Sequence, residues 1–423
     1  MRSMRKPLTV SMIDQALLSA AGFALNLVLI RSWDPAMFGA YAVIVALSLI
    51  AYSVQNALIG TQLQSLRPLA INRGDEHELV VTLWSANCLL MTSVAGVTWA
   101  VVAAIWQTQY PLLPLAAAMF AGGNLLREYL RSFLFSELEV RTTLLLDASY
   151  VSLTAAGLLA LWLWRGALEL PFVFLLMAIA SVSVCVPIVL SRSDLFSLRL
   201  GDSVRARYAK IWKGQSRWAL LGAACSELIG RAHVFVVGGW YGAAAVGVLQ
   251  AGEMLFRPLG LVAQAWERIA QPNFARLSAA GKWDAARALT HISALSMAGI
   301  SSLYILALWL GWPPLEREVF RGAYENIGFV LVLWSITATI TVISHVYGVM
   351  LQGLARFREL SVASVAGSFV SIGLLLLIVS HASYEWSIMA IAMGRLVDLA
   401  LMQLILRRLF GAQSSCEAPV AST

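Results

Sequence analysis

Apolar residues fall along this chain in blocks of about 20, the length that crosses a bilayer core about 30 Å thick as a helix. Twelve such blocks can be read, at 8–30, 37–60, 79–105, 111–133, 144–164, 169–190, 215–239, 243–266, 288–310, 324–350, 360–380 and 385–406. The connections are short, and none could hold a soluble catalytic domain. The pattern predicts an all-α integral membrane protein of twelve transmembrane helices in two pseudo-symmetric six-helix lobes. The lobes would be 1–190 and 215–410, joined by a cytoplasmic linker at 191–214 and followed by a tail at 411–423. Weak self-similarity supports the division. RSWDPAMFGAYAV around Trp33 and Gly39 is answered, about 208 residues later, by GGWYGAAAVGVLQ around Trp240 and Gly247. One span further on, LQSLRPLAINRGDEHE is answered by QPNFARLSAAGKWDAA, each amphipathic and basic with a Gly shortly before an acidic residue. Parallel six-helix repeats are a transporter architecture.

Composition excludes a soluble enzyme. Of 423 residues 59% are hydrophobic and 13% charged, and the mean hydropathy is +0.76, where a soluble domain carries about 25% charge. A disordered chain would be polar and charge-rich. The net charge of +7 reads as topology rather than as a nucleic-acid partner. With both termini cytoplasmic, most Lys and Arg fall on inner segments, and the outer ones hold only Arg31, Arg165, Arg317 and Arg321, as the positive-inside rule requires. Trp33, Trp106, Trp164, Trp212, Trp240, Trp312 and Trp386 sit near span ends, where an aromatic belt is expected. Cys88, Cys185, Cys225 and Cys416 have neither metal nor disulfide spacing. The basic N-terminus runs into the first span without a cleavage signal. No ATPase or hydrolase motif is present, so neither enzyme chemistry nor a cofactor is expected.

Charge inside a bilayer is expensive, so ionisable residues within spans mark cavities, partners or both. In the first span Ser11, Asp14, Gln15, Ser19, Gly22 and Asn26 share one helical face, and in the second Tyr41, Ser48, Tyr52, Gln55 and Asn56 do. In the eighth, Gln250, Glu253, Arg257, Gln264 and Arg268 form a narrow stripe, and Pro258 should bend the helix. In the seventh, Glu227 and Arg231 stand four residues apart and can pair, while His233 falls on another face. These faces could line one aqueous cavity. Glu227–Arg231 and Glu253–Arg257 could equally be intrahelical ion pairs, Asp14 could be solvated at the cytoplasmic edge, and Asn26, Gln55 and Asn56 could bond neighbouring helices. Arg127, Glu128, Arg131 and Asp147 lie near inner span ends, where snorkelling to the headgroups is the expectation. Arg395 and Asp398 should pair, and His291 and His345 should serve helix packing. The basic 191–214 linker should lie on anionic lipid.

The opening SMIDQALLSAAGFALNLVLIRSWDPAMFGAYAV resembles Wzx-like oligosaccharide and polysaccharide flippases. These form the polysaccharide-transporter branch of the multidrug/oligosaccharidyl-lipid/polysaccharide exporter superfamily. The features that carry the likeness are Asp14-Gln15, the region of Asn26, Arg31 closing the first span, and Phe38-Gly39-x-Tyr41 opening the second. The resemblance implies a multi-pass flippase of the bacterial inner membrane. It would move a polyprenyl-diphosphate-linked oligosaccharide for O-antigen, capsule or exopolysaccharide assembly, by alternating access of a central cavity between the lobes. Guanidinium groups suit a diphosphate, so Arg31, Arg231 and Arg257 are the candidate phosphate contacts. Asn26, Gln55, Asn56, Gln250 and Gln264 are the candidate sugar contacts. Asp14, Glu227 and Glu253 would balance charge or couple transport to protons or sodium. The expected partners are the lipid-linked substrate, membrane lipids, a polysaccharide polymerase and a chain-length regulator, with no nucleic acid and no metal. A cation-coupled multidrug exporter of the same superfamily is the alternative. A membrane-embedded polymerase or ligase is a third, disfavoured by the short outer loop at 311–323.

Overall fold

The computed structural model describes the backbone over residues 2–137, 139–354 and 356–414. Among these the secondary structure is helical, with no strand. The helices are α1 (Arg2–Ser32), α2 (Pro35–Gln55), α3 (Thr61–Arg73), α4 (Glu76–Trp106), α5 (Leu113–Ser136), α6 (Val140–Arg165), α7 (Leu170–Ser191), α8 (Asp202–Ile211), α9 (Arg217–Tyr241), α10 (Ala243–Met254), α11 (Arg257–Ala279), α12 (Trp283–Leu310), α13 (Trp312–Leu315), α14 (Ile327–Gly353), α15 (Phe357–His381) and α16 (Ser387–Ser414). Among the described residues nine stretches are long and apolar enough to cross a membrane, or eleven if each of two bent pairs is one span. The twelfth expected span is α5, which does not meet that measure and carries Arg127, Glu128 and Arg131.

The chain forms two compact units. Unit 1 is Met1–Ser32 with Tyr41–Ala224, and unit 2 is Trp33–Ala40 with Cys225–Thr423. The division near residue 224 lies beyond the expected linker because that linker is packed onto unit 1. Phe196 is buried against Trp84, Tyr129 and Phe133. Arg192 pairs with Glu137 and with Glu139 (2.7 Å). Tyr208 and Ile211 of α8 pack against the same core. The hydroxyl of Tyr208 also donates to the Leu58 carbonyl at 3.5 Å.

In unit 1, α5 packs on α3, α4, α6 and α7, and α1 packs on α6. Its core gathers Leu63, Leu83, Leu130, Phe133 and Leu134. In unit 2, α14 is central and packs on α10, α11, α12, α15 and α16. That core gathers Phe274, Val349, Met350, Leu351 and Met402. Large apolar side chains remain outward, including Leu295, Leu310 and Phe369, each about three-quarters exposed. Such patches suit lipid rather than water. Of the expected aromatic belt, Trp164, Trp212, Trp240 and Trp386 are exposed, whereas Trp33 and Trp106 are buried in protein.

The weak repeat has a structural counterpart. The helices α3 and α4 meet at Gly74, and α11 and α12 meet near Gly281, both in the left-handed region (φ 72° and 66°). A second pair of related glycines touches. Asp34 caps α2 by accepting the Met37 N–H at 2.8 Å, and the first turn of α2 crosses α10 within unit 2. A Cβ on Gly39 would overlap the carbonyl of Ala243, and a Cβ on Gly247 would overlap the carbonyl of Pro35. The contact is reciprocal in the repeat register, because Pro35 answers Ala243 as Gly39 answers Gly247.

Because the obstacle at each glycine is backbone, it cannot rotate away. Gly247→Ala should therefore cost about 1–3 kcal/mol, the range of overpacking. Gly373→Ala, where a Cβ meets nothing within 4 Å, should leave stability unchanged or raised. Thermal unfolding of the two detergent-purified variants checks this; equal midpoints would refute the contact.

Candidate functional site

The largest concentration of buried charge lies in unit 1, where α1, α5 and α6 meet. Asp14 and Asp147 are buried, as is Arg127. Arg131 donates through Nε to Asp147 Oδ2 (2.7 Å), through one terminal nitrogen to Glu128 Oε2 (2.9 Å) and through the other to Asp14 Oδ2 (3.2 Å). Arg127 donates to Glu128 Oε1 at 3.1 Å, approaches Asp147 Oδ1 at 3.7 Å, and stacks over the Tyr150 ring at 3.9 Å. Three carboxylates thus surround two guanidiniums. Asp14 Oδ1 and Asp147 Oδ1 are buried with no hydrogen-bond partner among the described residues.

This cluster corrects the expectation that Arg127, Glu128, Arg131 and Asp147 snorkel to the headgroups. They reach sideways to each other instead, because a buried charge is tolerable when paired and hydrogen-bonded. Asp14, expected as a charge-balancing or coupling group, is one corner of it. The available signal was depth. Asp14, Arg131 and Asp147 all lie within about two turns of the ends of three spans, and complementary charges at comparable depth can meet across helices.

Other unit 1 candidates serve the interior. Gln55 is buried, and its amide donates to Asn87 Oδ1 (2.7 Å) and to the Leu125 carbonyl (2.6 Å). It links α2, α4 and α5, so it is a helix-bonding residue rather than an open sugar contact. The buried Asn26 donates to the Gly22 carbonyl one turn earlier (2.6 Å). Asn56 is half-buried in the π-helical turn Asn56–Gly60 that follows α2. Arg31, in the last turn of α1, is exposed.

In unit 2 the seventh-span pair forms as expected, with Arg231 Nε donating to Glu227 Oε2 at 2.5 Å. The straight stripe on the eighth span does not. The helix breaks after Met254 and resumes at Arg257 with a bend of 48°. Pro258 is the physical reason, since it has no N–H for the Met254 carbonyl and its ring crowds that oxygen. The break takes Arg257 off the face of Glu253, and among the described residues these two form no ion pair. Glu253 instead accepts from Gln250 (2.5 Å) and faces the buried His233 at 3.8 Å. His233 packs edge-on against Trp334, so it belongs to this group despite its different helical face. Arg257 and Gln264 are exposed on α11, and Arg257 has no carboxylate within ion-pair distance among the described residues. The Arg268 side chain lies outside the described residues. The pair Arg395–Asp398 is present at 3.8 Å, with Ser344 and Ser364 donating to Asp398 (3.3 and 3.4 Å).

No family model and no curated protein matches the chain. Solved structures do. An inward-facing multidrug resistance MATE family transporter of the MOP superfamily superposes with TM-score 0.73 at 11% identity, covering 97% of this chain and 99% of that one. The lipid II flippase MurJ, in an inward closed conformation, gives TM-score 0.73 at 12% identity over 96% and 90%. The eukaryotic MATE transporter AtDTX14 gives 0.54 at 13% over 97% and 98%. The fold is therefore the one that these transporters and this flippase share, carried over nearly the whole chain.

Removing Arg131 should strand Asp14, Glu128 and Asp147 beside a single guanidinium. Arg131→Gln is expected to destabilise unit 1 by about 3–5 kcal/mol, the cost of breaking a buried pair. The double variant with Asp147→Asn should recover part of that loss. Additive losses in a double-mutant cycle would show that the two do not interact.

Proposed function

We propose that this protein is a flippase that carries a polyprenyl-diphosphate-linked oligosaccharide across the bacterial inner membrane by alternating access. The observation that carries the reading is Arg257. It is an exposed arginine, with no carboxylate within ion-pair distance among the described residues, in the first turn of a 23-residue helix that begins at a break inside a membrane span. A helix N-terminus and a guanidinium both favour phosphate oxygens. Arg231 lies on the neighbouring α9, and Gln264 follows two turns along α11. In this reading Arg257 holds the diphosphate, Arg231 assists, and Gln264 and Gln250 meet sugar hydroxyls. The termini face the cytoplasm, and a polymerase and a chain-length regulator act on the product. The likeness in fold to a lipid flippase supports the class.

Coupling belongs to unit 1. Three carboxylates against two guanidiniums leave one negative charge that a proton or a sodium ion can neutralise, and the orphaned oxygens of Asp14 and Asp147 are where it would sit. Two like charges in one buried site cannot both stay ionised cheaply. The same cluster supports the second reading, a cation-coupled multidrug exporter, whose fold is equally close.

Loss of the protein should leave lipid-linked repeat units on the cytoplasmic leaflet. Arg257→Ala should lower surface glycan to about a tenth or less, as expected when a charge-assisted contact worth over 1.4 kcal/mol is removed. Protein level and insertion should stay normal. Unchanged glycan with increased drug sensitivity in the null strain would replace the flippase by the exporter.

A further inference from the structure

Unit 1 contains a cavity of about 580 Å³ bounded by α3, α4, α8 and the segment before α8. Its wall is apolar at Leu66, Leu79, Val204 and Ile211, and its rim carries Arg199 and Lys210. Arg207 on the same wall is already engaged, donating to Asp75 at 3.1 Å and to Glu78. Arg199 and Lys210 have no carboxylate within ion-pair distance among the described residues. The cavity therefore offers two cations and an apolar wall.

We propose that this cavity binds the phosphate of an anionic phospholipid headgroup. The phosphate meets Arg199 and Lys210, where charge-assisted contacts to phosphate oxygens are the strong ones. The first acyl carbons run along Leu66 and Val204. The surroundings favour a membrane lipid over a free phosphate. Leu198 and Leu200, beside Arg199, are 57% and 51% exposed, and Trp212 follows α8 exposed. Aliphatic and indole groups left outward at the ends of spans belong at headgroup depth. Occupancy would pin α8, and with it the connection between the chain's halves, to the leaflet. The site is independent of what the protein transports.

Purified full-length protein is incubated in detergent with phosphatidylethanolamine, phosphatidylglycerol or phosphatidylcholine of matched acyl chains, and bound lipid is counted by native mass spectrometry. Phosphatidylglycerol, which is anionic, should be retained about tenfold over the two zwitterionic lipids, a difference of one good contact. Arg199→Gln with Lys210→Gln should abolish that retention. Both residues are exposed, so the variant should keep the thermal midpoint of the native chain. Arg205→Gln, on the outer face of α8, should change nothing. Equal retention of all three lipids, or equal loss in Arg205→Gln, would overturn the site in favour of a diffuse basic surface. Displacement by free glycerol phosphate at equal concentration would overturn the lipid as its ligand.

Discussion

Placing charge inside a low-dielectric slab governs this molecule. A lone charged side chain at the centre of a membrane helix costs about 2.5–3.5 kcal/mol on insertion scales. Among α1, α5 and α6 lie five ionisable groups that pair almost entirely with one another. The pairing explains why α5, which carries three of them, sits among four other helices of unit 1. A helix too polar for lipid must be surrounded by protein, and a position so surrounded can hold arginines that also crosslink its neighbours. Arg67 repeats the solution nearer the inner end. It is buried, donates to Glu76, Glu137 and Ser136, and stacks on Phe133. Outside the spans, Glu139 is held below the usual carboxylate range. Burial alone would raise it, but Thr142 and Arg192 outweigh that.

Hydropathy made the helices legible, because burial in lipid imposes a length and an apolar character on each span whatever its neighbours. Partners were less legible. From sequence, Arg131 has a height in the membrane but no azimuth, and its partners Asp14 and Asp147 lie on other helices. Gln55 shows the same limit. A polar face marks a need for hydrogen bonds, which an Asn on α4 and a backbone carbonyl on α5 meet as well as water or sugar would. The Glu253–Arg257 pair failed for another reason. Helical spacing assumes an unbroken helix, and the spacing rule lapsed at the break that Pro258 itself signals. The packing of the linker was not legible either, because its mean polarity conceals one aromatic anchor, Phe196, that is buried against unit 1.

Close backbone approach is the second constraint. The glycine crossing of α2 and α10 makes residues 33–40 part of unit 2 although α2 continues into unit 1 at Tyr41. A single continuous helix therefore belongs to both units. Its first turn is fixed by backbone contact and its later turns by side chains such as Gln55. The rigid end is the glycine end, where no side chain can adjust.

The repeat relates the backbones of the halves but not their chemistry. Left-handed glycines recur at Gly74 and Gly281, and the crossing glycines answer each other in register. The buried charge does not recur. Unit 1 concentrates carboxylates around two arginines at the meeting of α1, α5 and α6, whereas unit 2 spreads its ionisable groups over Glu227–Arg231, His233–Glu253 and Arg395–Asp398. A duplicated scaffold satisfied by one packing solution leaves its ionisable positions free to diverge, since pairing within a unit requires no counterpart in the other. Divergence of this kind leaves one half with a compact network of paired charge, while the other presents an exposed arginine at a broken helix.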